Sequence, residues 1–288
     1  MNKPFNDQII FITGATSGIG KVALYHFAQL GATVVATARD IEKGKKLVLD
    51  FKKNNSNCPG TIEIIHCDLS SFMSVVEAVR QFKLKHKRID ILINNAGIFN
   101  LNHRLSKDGI EETFQVNVLS PFLLIMLFEQ MIIENKGRII TTSSSFHHGN
   151  INFNDIEGRR FYSGLNAYRQ SKLAEILLCK IIHSRINPSG AQIFCQHPGI
   201  VRTNLGKNGS PIFNLGLRLI GKSVEKGAET LIYLATSPSE NLTSGEYYAY
   251  KKIWKTKPQS NNPILADKLR KLVMSYIEPF INQYLYYN

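Results

Sequence analysis

A chain of 288 residues, 43% of them apolar, can bury one large core, and that length suits a single α/β unit. Its 35 basic and 22 acidic residues give a formal charge of +13, which favours acidic partners; the lysines and arginines are scattered along helical faces rather than gathered in a tail, so no nucleic-acid partner is expected. The four cysteines form no CxxC pair and no spacing with histidine, which argues against a metal centre or a disulfide framework. The opening residues MNKPFNDQ carry no apolar signal region. The longest greasy stretch, PFLLIMLF from Pro121 to Phe128, is far below the roughly 20 residues that cross a bilayer. A soluble cytoplasmic protein with no transmembrane anchor is therefore expected.

In chain order, short β-rich runs alternate with longer helical patterns. The strands expected are QIIFITG, ATVVATA, TIEIIHC, IDILINN, GRIITTS and AQIFCQHP, with a weaker seventh in EYYAY after Gly245. Helical segments begin near Gly18, Ile41, Ser70, Asp108 and Leu165, and another follows Ser223. Strands apolar on both faces and separated by helices predict a Rossmann-type, doubly wound parallel sheet of about seven strands, covered by helices on each side in a single domain. Residues 1–250 are expected to form the main unit. The lysine-rich residues 251–288, helical from Leu265 to Tyr276, then read as an extension packed on it.

The first strand runs into TGATSGIG, whose glycines Gly14, Gly18 and Gly20 open a helix. Such a turn bares backbone N–H groups at the positive end of a helix dipole, and glycine lets a ligand approach without a Cβ in the way. A pyrophosphate meets that demand, and Ser17 and Ile19 lie in the same turn; a glycine turn demanded by chain geometry alone is the alternative. After the second strand, Arg39 can reach a ribose 2′-phosphate, and Ala38 stands where an acidic residue would take the 2′-hydroxyl of NAD. NADP is thus expected rather than NAD, unless Arg39 only caps a surface turn. Asp68, followed by Leu69, can accept from an adenine amino group or serve as a helix N-cap. In AYRQSK, Tyr168 and Lys172 are four apart and leave one helix face a turn apart. A phenol ordinarily titrates near pH 10, and a fixed ammonium beside it favours the phenolate, making tyrosine a usable acid or base.

With TGATSGIG, NNAG at 94–97, Asn117 in FQVNVLSPF, Ser144 in TTSSSFHH, Tyr168 with Lys172, and HPGIVRT at 197–203, the sequence resembles the short-chain dehydrogenase/reductase family from about residue 7 to 250. Within that family DGIEETFQVNVLSPFLL, SSSFHHGNINFNDIEG and AYRQSKLAEILL resemble the retinol dehydrogenase branch. It departs from that branch at NVLSPF, where relatives often carry His and Gly after the asparagine.

The resemblance implies that Tyr168 exchanges a proton with the substrate oxygen and that Lys172 tunes it and binds a ribose hydroxyl. Ser144 would hydrogen-bond the carbonyl oxygen, with Ser143 as the alternative, and Asn117 would hold a water linking Lys172 to solvent. It further implies that Asn95, Ala96 and Gly97 line the cofactor groove, that Pro198 and Gly199 run beneath the nicotinamide, and that Thr203 holds its carboxamide. His147 and His148 read as loop residues rather than metal ligands. Residues 203–222 mix glycines with apolar side chains, which suits a lid over a greasy substrate or an ordinary surface helix. The expected activity is hydride transfer between NADP and a lipophilic carbonyl or alcohol, in the reductive direction that NADP-linked relatives favour. A sugar-nucleotide epimerase and a non-catalytic NADP-sensing or nucleic-acid-binding protein are the competing readings. The helices near Asp108 and Leu165 pair between subunits elsewhere in this family, so a homodimer or homotetramer is compatible with the sequence.

Overall fold

The structure is a computed structural model that describes residues 5–201 and 221–286. One eight-stranded sheet runs through it in the order β3-β2-β1-β4-β5-β6-β7-β8. The strands are β1 (Ile9–Ile12), β2 (Thr33–Ala38), β3 (Thr61–His66), β4 (Ile91–Asn94), β5 (Arg138–Thr142), β6 (Gln192–His197), β7 (Tyr247–Ala249) and β8 (Lys252–Ile253). The first seven are parallel. The short β8 adds an antiparallel edge to β7 through a tight turn at Tyr250 and Lys251, both at positive φ. It is the one strand beyond the seven expected.

Side chains alternate across the sheet as the strand period demands: Ile10 and Ile12 face one core, Phe11 the other. Helices α1 (Gly18–Gln29), α2 (Ile41–Asn54) and α6 (Val224–Thr236) cover the first face through Leu24, Phe27, Leu47, Phe51 and Leu231. Helices α3 (Phe72–Lys85), α4 (Glu112–Glu134), α5 (Gly164–Ile186) and α7 (Pro263–Tyr286) cover the second through Val79, Leu123, Leu177 and Leu269. The buried guanidinium of Arg138 donates to the Leu234 and Ala235 carbonyls, tying the end of α6 to the start of β5.

Three boundaries differ from the sequence reading. Helix α4 starts at Glu112, not near Asp108, because the Glu111 side chain caps it by accepting from the Thr113 and Phe114 amides. Helix α7 continues past Pro279 to Tyr286, rather than stopping at Tyr276; beyond the proline Phe280 packs on Phe72 at 4.7 Å and Tyr284 is buried, and this packing carries the last turns. By length and composition α4 could cross a membrane, a longer apolar helix than the Pro121–Phe128 stretch suggested, but most of it is buried between the sheet and neighbouring helices.

The chain builds β1, β2 and β3 outward in one direction, then returns to place β4 on the other side of β1. This reversal opens a crevice at the carboxyl ends of β1 and β4, the place where α/β sheets of this kind receive ligands. The glycine turn after β1 and residues 95–97 after β4 both stand there.

Candidate active site

Gly14 has φ +67° and Gly18 φ +57°, both in the left-handed region. A Cβ on Gly14 would lie 2.7 Å from the Ala96 Cα, and one on Gly20 would lie 2.3 Å from the Gly14 carbonyl oxygen. The turn is held from β4: Asn95 donates through Nδ2 to the Thr13 and Gly14 carbonyls, while the Asn95 and Ala96 amides donate to Thr13 Oγ1. Asn95 therefore shapes the turn with its side chain. Helices α2 and α3 have their first amides capped by Asp40 and Ser71. Helix α1 does not: its N-cap Ser17 makes no side-chain cap bond and its first turn holds no acid. An uncapped, glycine-lined helix start with no Cβ above it is the cradle a pyrophosphate requires, so these residues fit a dinucleotide. The side chains of Ile19 and Leu69 are buried in the core, and the Leu69 carbonyl accepts from Ser120 Oγ at 2.6 Å.

Arg39, just past the end of β2, is exposed and makes no hydrogen bond or ion pair among the described residues. Asp40 caps the helix in its place. Asp68 is not the cap of α3; that role falls to Ser71. Its Oδ1 instead accepts from the Ser70 amide and hydroxyl, and its Oδ2 pairs with Lys107 at 2.9 Å. Burial would push the Asp68 carboxyl up, but Lys107 and Ser70 outweigh it and hold the group below its ordinary range.

Tyr168 and Lys172 lie on α5, one turn apart, with the Lys172 ammonium 5.5 Å from the centre of the tyrosine ring. Both are buried, and Phe99 stands edge-on to Tyr168 at 5.4 Å. Two of the three Lys172 N–H groups are taken, one by the Thr142 carbonyl at 3.1 Å and one by Glu175 Oε1 at 2.8 Å. Gly97 lies beside the ammonium, since a Cβ there would come within 3.5 Å of both Lys172 Nζ and Asn117 Oδ1. Thus the end of β4, Asn117 and the α5 pair meet at one point.

The two serines separate clearly. Ser143 is buried and donates to the Lys172 carbonyl at 2.8 Å, which pins β5 to α5. The half-buried Ser144 accepts from the Phe146 amide, and its side chain is close enough to Tyr168 to pull the phenol down. Asn117 is fully buried in a π-turn, residues Gln115–Leu119, an irregularity frequent at functional sites. Its amide is committed to protein: Oδ1 accepts from the Ile98 amide, and Nδ2 donates to the Ile98 carbonyl and Ser171 Oγ.

The electrostatics differ from the sequence expectation in one respect. Burial dominates and raises the Tyr168 phenol above its ordinary value, although Lys172 and Ser144 both pull it down. Glu175, buried against Lys172, opposes them, and burial pushes its own carboxyl up to about 7. Sequence reading overlooked Glu175. The signal was there, an acid three residues after the lysine in SKLAE, on the same helical face.

Beyond β6, Gly199 takes φ +84° and donates its amide to His197 Nδ1 at 2.8 Å; burial lowers the His197 pKa to about 4. Tyr250 lies under Gly199, 3.7 Å from where its Cβ would stand. His147 Nδ1 bonds the Ser144 carbonyl at 2.8 Å, so this imidazole supports the serine loop. Thr203 and residues 203–220 of the expected lid lie outside the described residues. The four cysteines are free thiols; burial pushes Cys67 and Cys179 up to about 12 and also raises Cys195 well above the ordinary thiol value.

The family model for short chain dehydrogenase matches residues 8–211. Retinol dehydrogenase 14 of Homo sapiens is 33% identical over 281 residues, covering 91% of this chain and 84% of that protein. Polyprenol dehydrogenase of Homo sapiens is 32% identical over 278 residues, covering 92% of this chain and 84% of that protein. Among solved structures, an uncharacterised protein from Mycobacterium Paratuberculosis superposes with a TM-score of 0.75 at 27% identity, covering 94% of this chain and 93% of the other. A metagenomic short-chain oxidoreductase solved with NADP shares the fold at a TM-score of 0.63 and 24% identity, covering 82% and 94%. These matches displace the epimerase and non-catalytic readings: the chain belongs to the short-chain dehydrogenase family, is retinol dehydrogenase-like within it, and is an oxidoreductase acting on CH–OH or C=O groups.

Proposed function

We propose that this protein is an NADP-dependent oxidoreductase that interconverts a lipophilic carbonyl compound and its alcohol, with Tyr168 as the acid or base. The observation that carries the reading is that the Tyr168 ring and the Lys172 ammonium, 5.5 Å apart and buried, stand beside Gly97 and Asn117 at the end of β4, next to the cradle after β1. Residues Gly14 to Gly20 would hold the pyrophosphate, Arg39 the 2′-phosphate and the remaining N–H of Lys172 a ribose hydroxyl. Asp68, Asn95, Ala96, Pro198 and Gly199 would line the rest of the cofactor groove, with Thr203 as a ligand of the carboxamide. When bound, the cofactor supplies or receives the hydride.

In the reductive direction Ser144 donates to the substrate oxygen and orients it, and Tyr168 Oη delivers the proton as negative charge builds there. Lys172 stabilises the phenolate left behind. Phe99 closes one side of the phenol from water. Asn117 holds residues 97–98 against α5, and with them the spacing between the groove and Lys172. The names of the relatives, retinol and polyprenol dehydrogenases, support a long apolar substrate. Residues 1–250 would be the catalytic unit, with residues 251–288 packed on it through α7.

The deciding experiment is NADPH consumption with aldehydes and ketones of graded chain length. Activity should rise with apolar length, and Tyr168→Phe should lower kcat by about 10²- to 10⁴-fold while NADPH still binds. A Tyr168→Phe protein as fast as the wild type would end the assignment.

A further inference from the structure

Glu175 has no part in the mechanism above, yet it is the residue most closely joined to it. Its Oε1 lies 2.8 Å from Lys172 Nζ, and both side chains are 4% exposed. Its Oε2 is buried without a hydrogen-bond partner. A buried carboxylate with one oxygen unpartnered is costly, and an apolar residue would fill the same core volume without that cost.

The surrounding groups leave this pair as the charged centre beneath the phenol. On α5 itself stand Lys172 and Tyr168. From β5 comes the hydroxyl of Ser143, from β6 the thiol of Cys195, and from β7 the phenol of Tyr247, and burial keeps both Cys195 and Tyr247 protonated. The neighbouring helices spend their charges elsewhere. On α4 Glu129 pairs with Arg185 and Glu112 accepts from Asn100; on α7 Lys271 and Arg270 pair with Asp267, Lys268 lies over Phe153 and Tyr276 donates to Glu157.

A single buried cation can support one nearby anion. Tyr168 and Glu175 are the two groups that can become it, so each opposes the ionisation of the other. We infer that Glu175 is a positioning residue of this site: by holding the Lys172 ammonium it withholds that charge from Tyr168 and sets the pH range in which the phenol can act as a base. The inference rests on the proposed roles of Tyr168 and Lys172, and it adds a residue that acts through the lysine without touching substrate.

The test is the pH profile of kcat/KM for alcohol oxidation in the full chain, comparing wild type, Glu175→Gln and Glu175→Asp. Removing the negative charge lowers the pH at which the Tyr168–Lys172 pair releases its first proton, whichever partner gives it up. The acid limb of Glu175→Gln should move to lower pH, raising the rate at pH 7 relative to the plateau by about threefold or more, the change that half a pH unit produces on a limb. Glu175→Asp, which keeps the charge, should retain the wild-type profile. In the cofactor-free protein, the phenolate absorbance lost on Tyr168→Phe should titrate at lower pH when Glu175 is Gln. If the Gln variant fails to fold, Glu175→Asn removes the same charge with a shorter side chain and is read the same way. A profile that superimposes on the wild-type curve, or moves to higher pH, overturns the inference. Tyr168→Phe run alongside separates the two claims: if it stays active the proposed function itself falls, and if it is dead while Glu175→Gln is unshifted only the role of Glu175 falls.

Discussion

The proposed preference for NADP rests on one side chain, Arg39. It ends β2 on the rim of the crevice, exposed and unpaired among the described residues, with buried Ala38 before it in place of an acid. A guanidinium on a phosphate is a charge-assisted contact of about 1.5–3 kcal/mol, which corresponds to about 10- to 100-fold in affinity. Arg39→Ala should therefore raise the KM for NADPH by that factor and leave the KM for NADH nearly unchanged. Equal losses for both coenzymes would show that Arg39 serves the fold rather than the 2′-phosphate. Asp68 illustrates a different constraint, because a carboxylate that already accepts from Ser70 and Lys107 would have to take an adenine amino group on its remaining lone pairs.

The glycine turn is an element whose sequence and conformation explain each other. Two of its glycines sit at positive φ, and a side chain on Gly20 would meet the Gly14 carbonyl at 2.3 Å and Asn95 Nδ2 at 2.5 Å. The carbonyl is backbone, held by Asn95 from β4, so it cannot swing aside. Gly20→Ala should cost about 1–3 kcal/mol of stability, read by urea unfolding, together with at least tenfold in NADPH affinity, read by titration. Features of this kind were legible in the sequence because they are local: a strand, a glycine turn and a helix start occupy consecutive residues, and the Tyr168–Lys172 spacing lies within one helix. What escaped the sequence depends on neighbours far along the chain. The start of α4 is set by Glu111 capping it from inside the core. The last turns of α7 survive Pro279 because Phe280 finds Phe72, some two hundred residues earlier. Glu175 is passed over because its burial, 4% exposed beside Lys172, depends on packing that its own helix does not show.

At the scale of the whole molecule, one sheet divides two cores, and the chain reverses its winding between β1 and β4. That reversal places the glycine turn from one half against α5 from the other, which is why the candidate site residues come from positions as distant as 14 and 199. It also places the far edge of the sheet near the chemistry. The β7–β8 hairpin carries Trp254, 49% exposed and 5.5 Å from the ring of Tyr250, which in turn lies against His197 and Gly199. Trp254 is also the chain's one tryptophan. The protein thus contains its own optical reporter at the margin of the site: indole emission overlaps the absorption of a reduced nicotinamide, so titration with NADPH should dim the fluorescence in a saturable way. Its indole emission originates from a single known position.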